Sequence, residues 1–362
     1  MSRAPATREA VAPPESDRFD EAPHPRQTLQ LFGHKAQEAE ILDAYRRNRL
    51  AQAWIFGGPE GIGKATLAWR LTRFLLAHPD PAAPDVQRAA SLDVPAESSA
   101  ARRISALALA DIFLLRREWN DKTKKHFTEI RVDDVRRIIH AFHQGAGEGG
   151  LRIAIVDSAD DLNTASANAL LKLIEEPPER ALFLLVAHQP ARILPTIRSR
   201  CRKLALEPLT PQETLDALRA LGPAVAGAPA ATLQAAAEQS DGSVREALRL
   251  LDGDGVAFDA TLRAMFARLP QVDWSAVHLL GDRLTGRDNE QAYETFMRAL
   301  RKWLDGRLHV KAQEGAPPAK LVAYADAFDE IARAARETEV FNFDKKALVL
   351  GVFERLERAE RA

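Results

Sequence analysis

The stretch Gly57-Gly58-Pro59-Glu60-Gly61-Ile62-Gly63-Lys64-Ala65-Thr66 decides the fold. It follows the short apolar run Trp54-Ile55-Phe56, which reads as a buried strand. It opens into Leu67, Leu71, Phe74 and Leu75, spaced as on one helix face. A glycine-rich turn between strand and helix, closed by Gly-Lys, is a P-loop: backbone N–H groups and the helix N-terminus cradle phosphates while the lysine neutralises the outer ones. The candidate contacts are Gly58, Gly61, Gly63, Lys64 and Thr66. The position after the lysine should carry the hydroxyl that holds magnesium, and it is Ala65. Thr66 does not replace it, because one step along a helix turns a side chain by ~100°.

Outward from the loop, the chain reads as alternating strands and helices. A helix over 36–50 precedes the loop, and a proline- and alanine-rich surface loop over 79–99 follows its helix. Strands are expected at 111–115, 152–156 and 182–187, with helices at 132–142 and 163–176, the latter ended by Pro177 and Pro178. That alternation predicts a parallel sheet covered on both faces. Thr210-Pro211-Gln212-Glu213 starts a helix with proline at its first position, and from there the pattern is helical, with a joint at Gly253 and Gly255. Residues 1–25, rich in proline and charge, are expected to be disordered.

The totals narrow the function. The chain has 362 residues, is 46% hydrophobic and 28% charged, and carries a net charge of −1. That balance argues against strong nucleic-acid binding by the chain alone. One cysteine, Cys201, excludes an internal disulfide and a zinc site built on several cysteines. No apolar run is long enough to span a membrane and no signal-peptide pattern opens the chain, so a cytoplasmic protein is expected. The Asp121–Lys125 cluster reads as a DNA contact or, more simply, as a solvated turn.

An ATP-hydrolysing P-loop protein needs a strand-end aspartate for magnesium and usually a glutamate beside it to activate water. Asp157 ends a predicted strand, but Ser158 follows it, and a serine cannot take up a proton as a carboxylate does. The phosphate cradle is complete while two groups needed for hydrolysis are missing.

The segment Asn168-Ala169-Leu170-Leu171-Lys172-Leu173-Ile174-Glu175-Glu176-Pro177-Pro178, the triplet Ser199-Arg200-Cys201, and Asp241-Gly242-Ser243-Val244-Arg245-Glu246-Ala247-Leu248 together resemble the bacterial sliding-clamp loader family over roughly residues 30–250. The resemblance implies an α/β P-loop AAA+ domain at 26–208, a small helical lid at 209–257 and an all-α collar at 258–362 that joins subunits into a ring. It implies partners: the delta and gamma/tau subunits, the sliding clamp indirectly, and primed DNA within the complex. Arg200 is implied to be an arginine finger donated in trans to a neighbouring subunit's ATP, with a surface salt bridge as the plainer alternative. Arg245 is implied to sense the chain's own nucleotide, or else to pair within the lid.

Within the family the departures point to a subunit without independent turnover. ATP or ADP with magnesium could occupy the degenerate loop, or the loop could be a relic; no zinc or other metal is expected. The rival readings are an active AAA+ ATPase, such as the loader's motor subunit or a branch-migration motor, and a small-molecule P-loop kinase. Ala65 and Ser158 speak against the ATPase, and the long helical C-terminal half speaks against the kinase. The Trp303, Leu304 and Leu308 stripe and the Leu348–Leu356 run read as packing within the collar.

Overall fold

A computed structural model describes residues 13–19, 22–143, 150–285 and 289–361. The chain divides into two compact units, Met1–Leu248 and Arg249–Ala362.

In the first unit, α1 (Lys35–Arg46) leads to β1 (Ala53–Gly57), and the glycine-rich turn after it opens α2 (Lys64–Ala77). Then come α3 (Pro84–Arg88), α4 (Ser99–Ser105) and β2 (Ile112–Leu115). A small hairpin, β3 (Trp119–Asn120) with β4 (Lys125–His126), precedes α5 (Val132–His143) and β5 (Arg152–Asp157). The unit's sheet is completed by α6 (Thr164–Glu175), β6 (Ala181–Ala187), α7 (Pro195–Arg200) and β7 (Arg202–Ala205).

The five-stranded sheet has the order β2-β5-β6-β1-β7, and all its pairings are parallel. Both faces are covered, as the apolar runs require. Trp54, Phe56, Leu182 and Leu184 pack on one side with Leu67, Leu71 and Phe74 of α2. Their neighbours in sequence, Ala53, Ile55, Phe183 and Leu185, pack on the other with Phe142 of α5 and Leu170 of α6. This is the period-two alternation of a strand, with helices on each side.

Three expectations are corrected. Residues 13–19 and 22–25 are not a loose tail. The Asp17 side chain is fully enclosed and His24 is 1% exposed: the Asp17 carboxylate lies 3.0 Å from His24 Nε2 and pairs with Arg116. Residues 1–12, 20, 21 and 144–149 lie outside the described residues. The stretch 79–99 is not merely a surface loop: it contains α3, and Val86 and Leu92 are buried in the core. Leu92 N–H also donates to Glu38 Oε1 at 3.1 Å, and Glu38 in turn binds Arg70 at 2.6 Å. Finally, a fifth strand, β7, follows the Ser-Arg-Cys triplet directly.

After β7 come α8 (Pro211–Ala220), α9 (Pro223–Ala226), α10 (Ala230–Gln239) and α11 (Val244–Leu251). The expected lid boundary at 257 does not coincide with the division after Leu248. The reason is visible in the backbone: Val244 N–H donates to Gly61 O at 2.9 Å, and Leu209 N–H to Gly242 O at 3.1 Å. Gly242, at φ +75°, lies so close to Leu209 that a Cβ there would come within 2.3 Å of its carbonyl oxygen.

Thr210 makes the expected helix start. Its hydroxyl accepts from Glu213 N–H at 3.2 Å while the Glu213 carboxylate accepts from Thr210 N–H at 2.9 Å. Thr210→Ala is expected to cost the chain ~1 kcal/mol, read as a lower urea midpoint with an unchanged slope.

The described part of the second unit is helical throughout: α12 (Gly255–Ala267), α13 (Trp274–Leu284), α14 (Glu290–Gln313), α15 (Pro318–Phe341) and α16 (Lys345–Arg361). Its core joins Phe258, Leu262, Phe266, Phe296, Leu300, Tyr324, Val352 and Phe353, with Trp303, Leu304, Leu348 and Leu356 packed into the same cluster. Among the described residues no helix is long and apolar enough to cross a membrane.

Candidate functional site: a P-loop cleft

Parallel pairing brings the site together. Gly57 is in register with Ala187, and Asp157 with Val186, so the P-loop, Asp157 and His188 emerge side by side at the carboxyl ends of β1, β5 and β6. Ligands of open parallel sheets sit at that end of the strands. A cavity of about 790 Å³ opens there, lined by Gly61–Thr66, Asp157, His188 and Arg245 among others.

The loop has the backbone its glycines predict. Gly58, Gly61 and Gly63 have φ of +149°, +78° and +103°, the region that glycine alone enters without strain. At Gly61 a Cβ would fall 2.3 Å from Ser243 Oγ and 2.6 Å from Arg245 Cβ, so the start of α11 rests directly on the loop. Lys64 is 3% exposed, and its amine donates to Gly58 O at 2.7 Å and to Pro59 O. Burial pushes the amine down to about 8, although Asp157, Glu60 and Asp160 pull the other way.

Burial likewise lifts Asp157 to about 7. The charge of Asp17 adds to the rise, and Lys64 and Arg245 only partly offset it. Ser158 is buried beside it. Asp160 accepts from the His188 and Gln189 N–H groups at 2.8 and 3.3 Å, and Asp161 pairs with Arg117 at 3.1 Å. Arg245 binds Glu60 of the loop at 2.9 Å and lies over the Phe19 ring at 5.2 Å. His188 is held below its ordinary pKa by burial and by the charge of Lys64.

These residues suit an anionic ligand better than a magnesium ion. Ala65 offers no side-chain oxygen, and Asp160 and Asp161 are committed to other partners. Among the described residues, no group of three or more His, Cys, Asp or Glu could hold a metal ion.

Gly61, Gly63, Lys64, Thr66, Asp157 and Arg245 line one cleft, Gly58 is reached through the Lys64 amine, and Arg200 lies elsewhere. Arg200 ends α7 at the surface. Its guanidinium binds Glu175 of α6 at 2.7 Å and Thr196 O at 3.1 Å, with its side chain 43% exposed. Cys201 is buried and its thiol is pushed up to about 11 by that burial, as suits a packing residue. Asp121–Lys124 form the exposed turn of the β3–β4 hairpin. Sequence reasoning missed His188 and the wall formed by Ser16, Asp17 and Phe19. The only signal for His188 was its place just after an apolar strand.

The comparisons agree with one another. The family described as DNA polymerase III, delta subunit, matches residues 33–210. DNA polymerase III subunit delta' of Pseudomonas aeruginosa is 36% identical over 210 residues, which is 58% of this chain and 58% of that protein. The delta' subunit of Escherichia coli K12 is 30% identical over 254 residues, 70% of this chain and 69% of that protein. The match therefore spans less than two thirds of the first relative's length. A solved Thermotoga maritima RuvB Holliday junction branch migration motor covers 67% of both chains at 18% identity and a TM-score of 0.37, too distant a likeness to add to this. On the extent of the match to the E. coli protein, the chain belongs to the family of DNA polymerase III delta' subunits.

Proposed function

We propose that this chain is the delta' subunit of a clamp loader that uses ATP to place a sliding clamp on primed DNA. Its partners in that assembly are the delta and gamma/tau subunits, and its own part is to donate Arg200 to a neighbour's ATP rather than to hydrolyse one. The observation that carries this reading is the separation of the two features. The cleft keeps a phosphate cradle but has Ala65 and Ser158 where hydrolysis needs a hydroxyl and a carboxylate. The arginine stands outside it, on the surface, held by an exposed pair with Glu175 and a hydrogen bond to Thr196 O.

An arginine so placed is available to another subunit. Its planar fork suits the charge that develops on a transferred phosphoryl group. The pair with Glu175 is exposed on both sides and contributes little to stability, so exchanging it for a phosphate costs little. The 26–208, 209–257 and 258–362 segments would then serve as P-loop domain, lid and collar.

The cleft is proposed to bind ATP or ADP without turning it over. In a titration of the purified chain with a fluorescent adenine nucleotide, Lys64→Ala should weaken binding by at least about ten-fold, since it removes a charge-assisted contact. Mixing the chain with delta and gamma/tau subunits should give one stable assembly by size and mass. Robust ATP hydrolysis by the isolated chain, abolished by Lys64→Ala, would instead establish the active AAA+ ATPase.

A further inference from the structure

The cleft has a wall that the P-loop pattern does not call for. Ser16, Asp17, Phe19 and Pro23 line the same cavity as Lys64, Asp157 and Arg245. This strap is held mainly by charge. The Asp17 carboxylate lies 3.0 Å from His24 Nε2 and also pairs with Arg116, just past β2. Glu15 bridges Arg26 and Arg116, each at 2.9 Å. Arg73 of α2 donates to Arg26 O at 2.9 Å, and the His24 ring meets Trp69 edge-on at 6.2 Å. Burying a carboxylate is costly unless it is paired, and here the pairing is built across elements far apart in sequence. Burial works against the Asp17 charge, yet His24 and Arg116 outweigh it and hold the carboxyl below its ordinary pKa.

The strap acts on the groups a polyphosphate would meet. Phe19 faces the Arg245 guanidinium, which is already bound to Glu60. The Lys64 amine is turned onto the carbonyls of Gly58 and Pro59. Asp17 places a second carboxylate near enough to Asp157 to raise its pKa. Lys64 and Arg245 are thus both engaged within the cleft, Arg245 in part by Phe19 of the strap, and an anionic ligand would have to displace those contacts.

We propose that residues 15–19 compete with nucleotide for this cleft, so that they must lift from Arg245 before a nucleoside triphosphate seats its terminal phosphates. The inference rests on reading the cleft as a nucleotide site. It makes the strap a brake on occupancy rather than part of the binding surface.

Two measurements on the full chain test it. Phe19→Ala should bind a fluorescent ATP analogue about five-fold more tightly, the scale of the cation–π contact released. In the unaltered chain, a saturating ATP analogue should speed hydrogen exchange at residues 15–19, a readout that stands even if the variant folds poorly. Unchanged or weaker binding by a folded Phe19→Ala, or slower exchange at 15–19 on adding nucleotide, would overturn the strap while leaving the nucleotide site intact. If neither the unaltered chain nor Phe19→Ala binds nucleotide, the site reading falls and the strap with it.

Discussion

Arg200→Ala is expected to lower DNA-stimulated ATP hydrolysis in the reconstituted assembly by about 10³-fold or more at the one site it serves, in keeping with fingers worth on the order of 10³–10⁵ in rate. Total turnover would fall less than that, because sites served by other subunits continue to work. Single-turnover measurement on a complex with one competent motor subunit isolates the site. The variant itself should fold and assemble normally: Arg200 is exposed, its one ion pair is solvated, and such pairs contribute ~0–1 kcal/mol. Arg200→Lys should rescue little, because an ammonium cannot make the two parallel contacts of a guanidinium. A purely structural role would show the opposite pattern, with Lys restoring the pair to Glu175 and turnover unaffected.

The second large effect concerns stability and its dependence on pH. Asp157 ionises near pH 7 in the folded chain against an ordinary value of 3.8, with burial as the leading cause. Between those values the folded chain keeps a proton that the unfolded chain has released. The stability of the natural chain therefore falls as pH rises from about 4 to about 7, and the penalty is complete above that. Asparagine carries no charge to desolvate. Asp157→Asn should raise stability at pH 8 by on the order of 2–3 kcal/mol, less than the full shift implies, because the cleft admits solvent and Lys64 loses a partner. The gain should vanish near pH 4. Urea melts at pH 4 and pH 8 check both the sign and the window. A stabilised variant would mean that Asp157 is kept at a cost to folding, as residues of ligand sites often are.

Much of the fold was legible because the physics that made it is local. The apolar runs at 53–57, 152–157 and 181–187 are buried on both faces, and strands of that kind announce themselves without alternation. The glycines of the P-loop were readable from spacing alone. β7 was not, because Arg202-Lys203-Leu204-Ala205 is an edge strand with only Leu204 buried, and its charges mask the pattern. α3 was hidden by prolines whose short helix buries one side chain, Val86.

The strap was the largest miss, for a similar reason. Composition says that a proline-rich, charged segment has too little apolar surface to fold. It cannot say that Glu15 and Asp17 meet His24, Arg26 and Arg116 across nearly a hundred residues of chain. The cleft residues were legible one by one, but their protonation was not. The values of about 8 for Lys64 and about 7 for Asp157 follow from burial that only the packed chain supplies.

The division of labour between the cleft and the arginine is tested most directly by measuring DNA-stimulated ATP turnover in two otherwise identical reconstituted assemblies, each with one competent motor subunit at the site Arg200 is proposed to serve, one with Lys64→Ala in this chain and the other with Arg200→Ala. Turnover near the unaltered rate with Lys64→Ala, and a deep loss with Arg200→Ala, is the predicted result. A deep loss with Lys64→Ala and normal turnover with Arg200→Ala would contradict it, placing the chemistry in this chain's own P-loop.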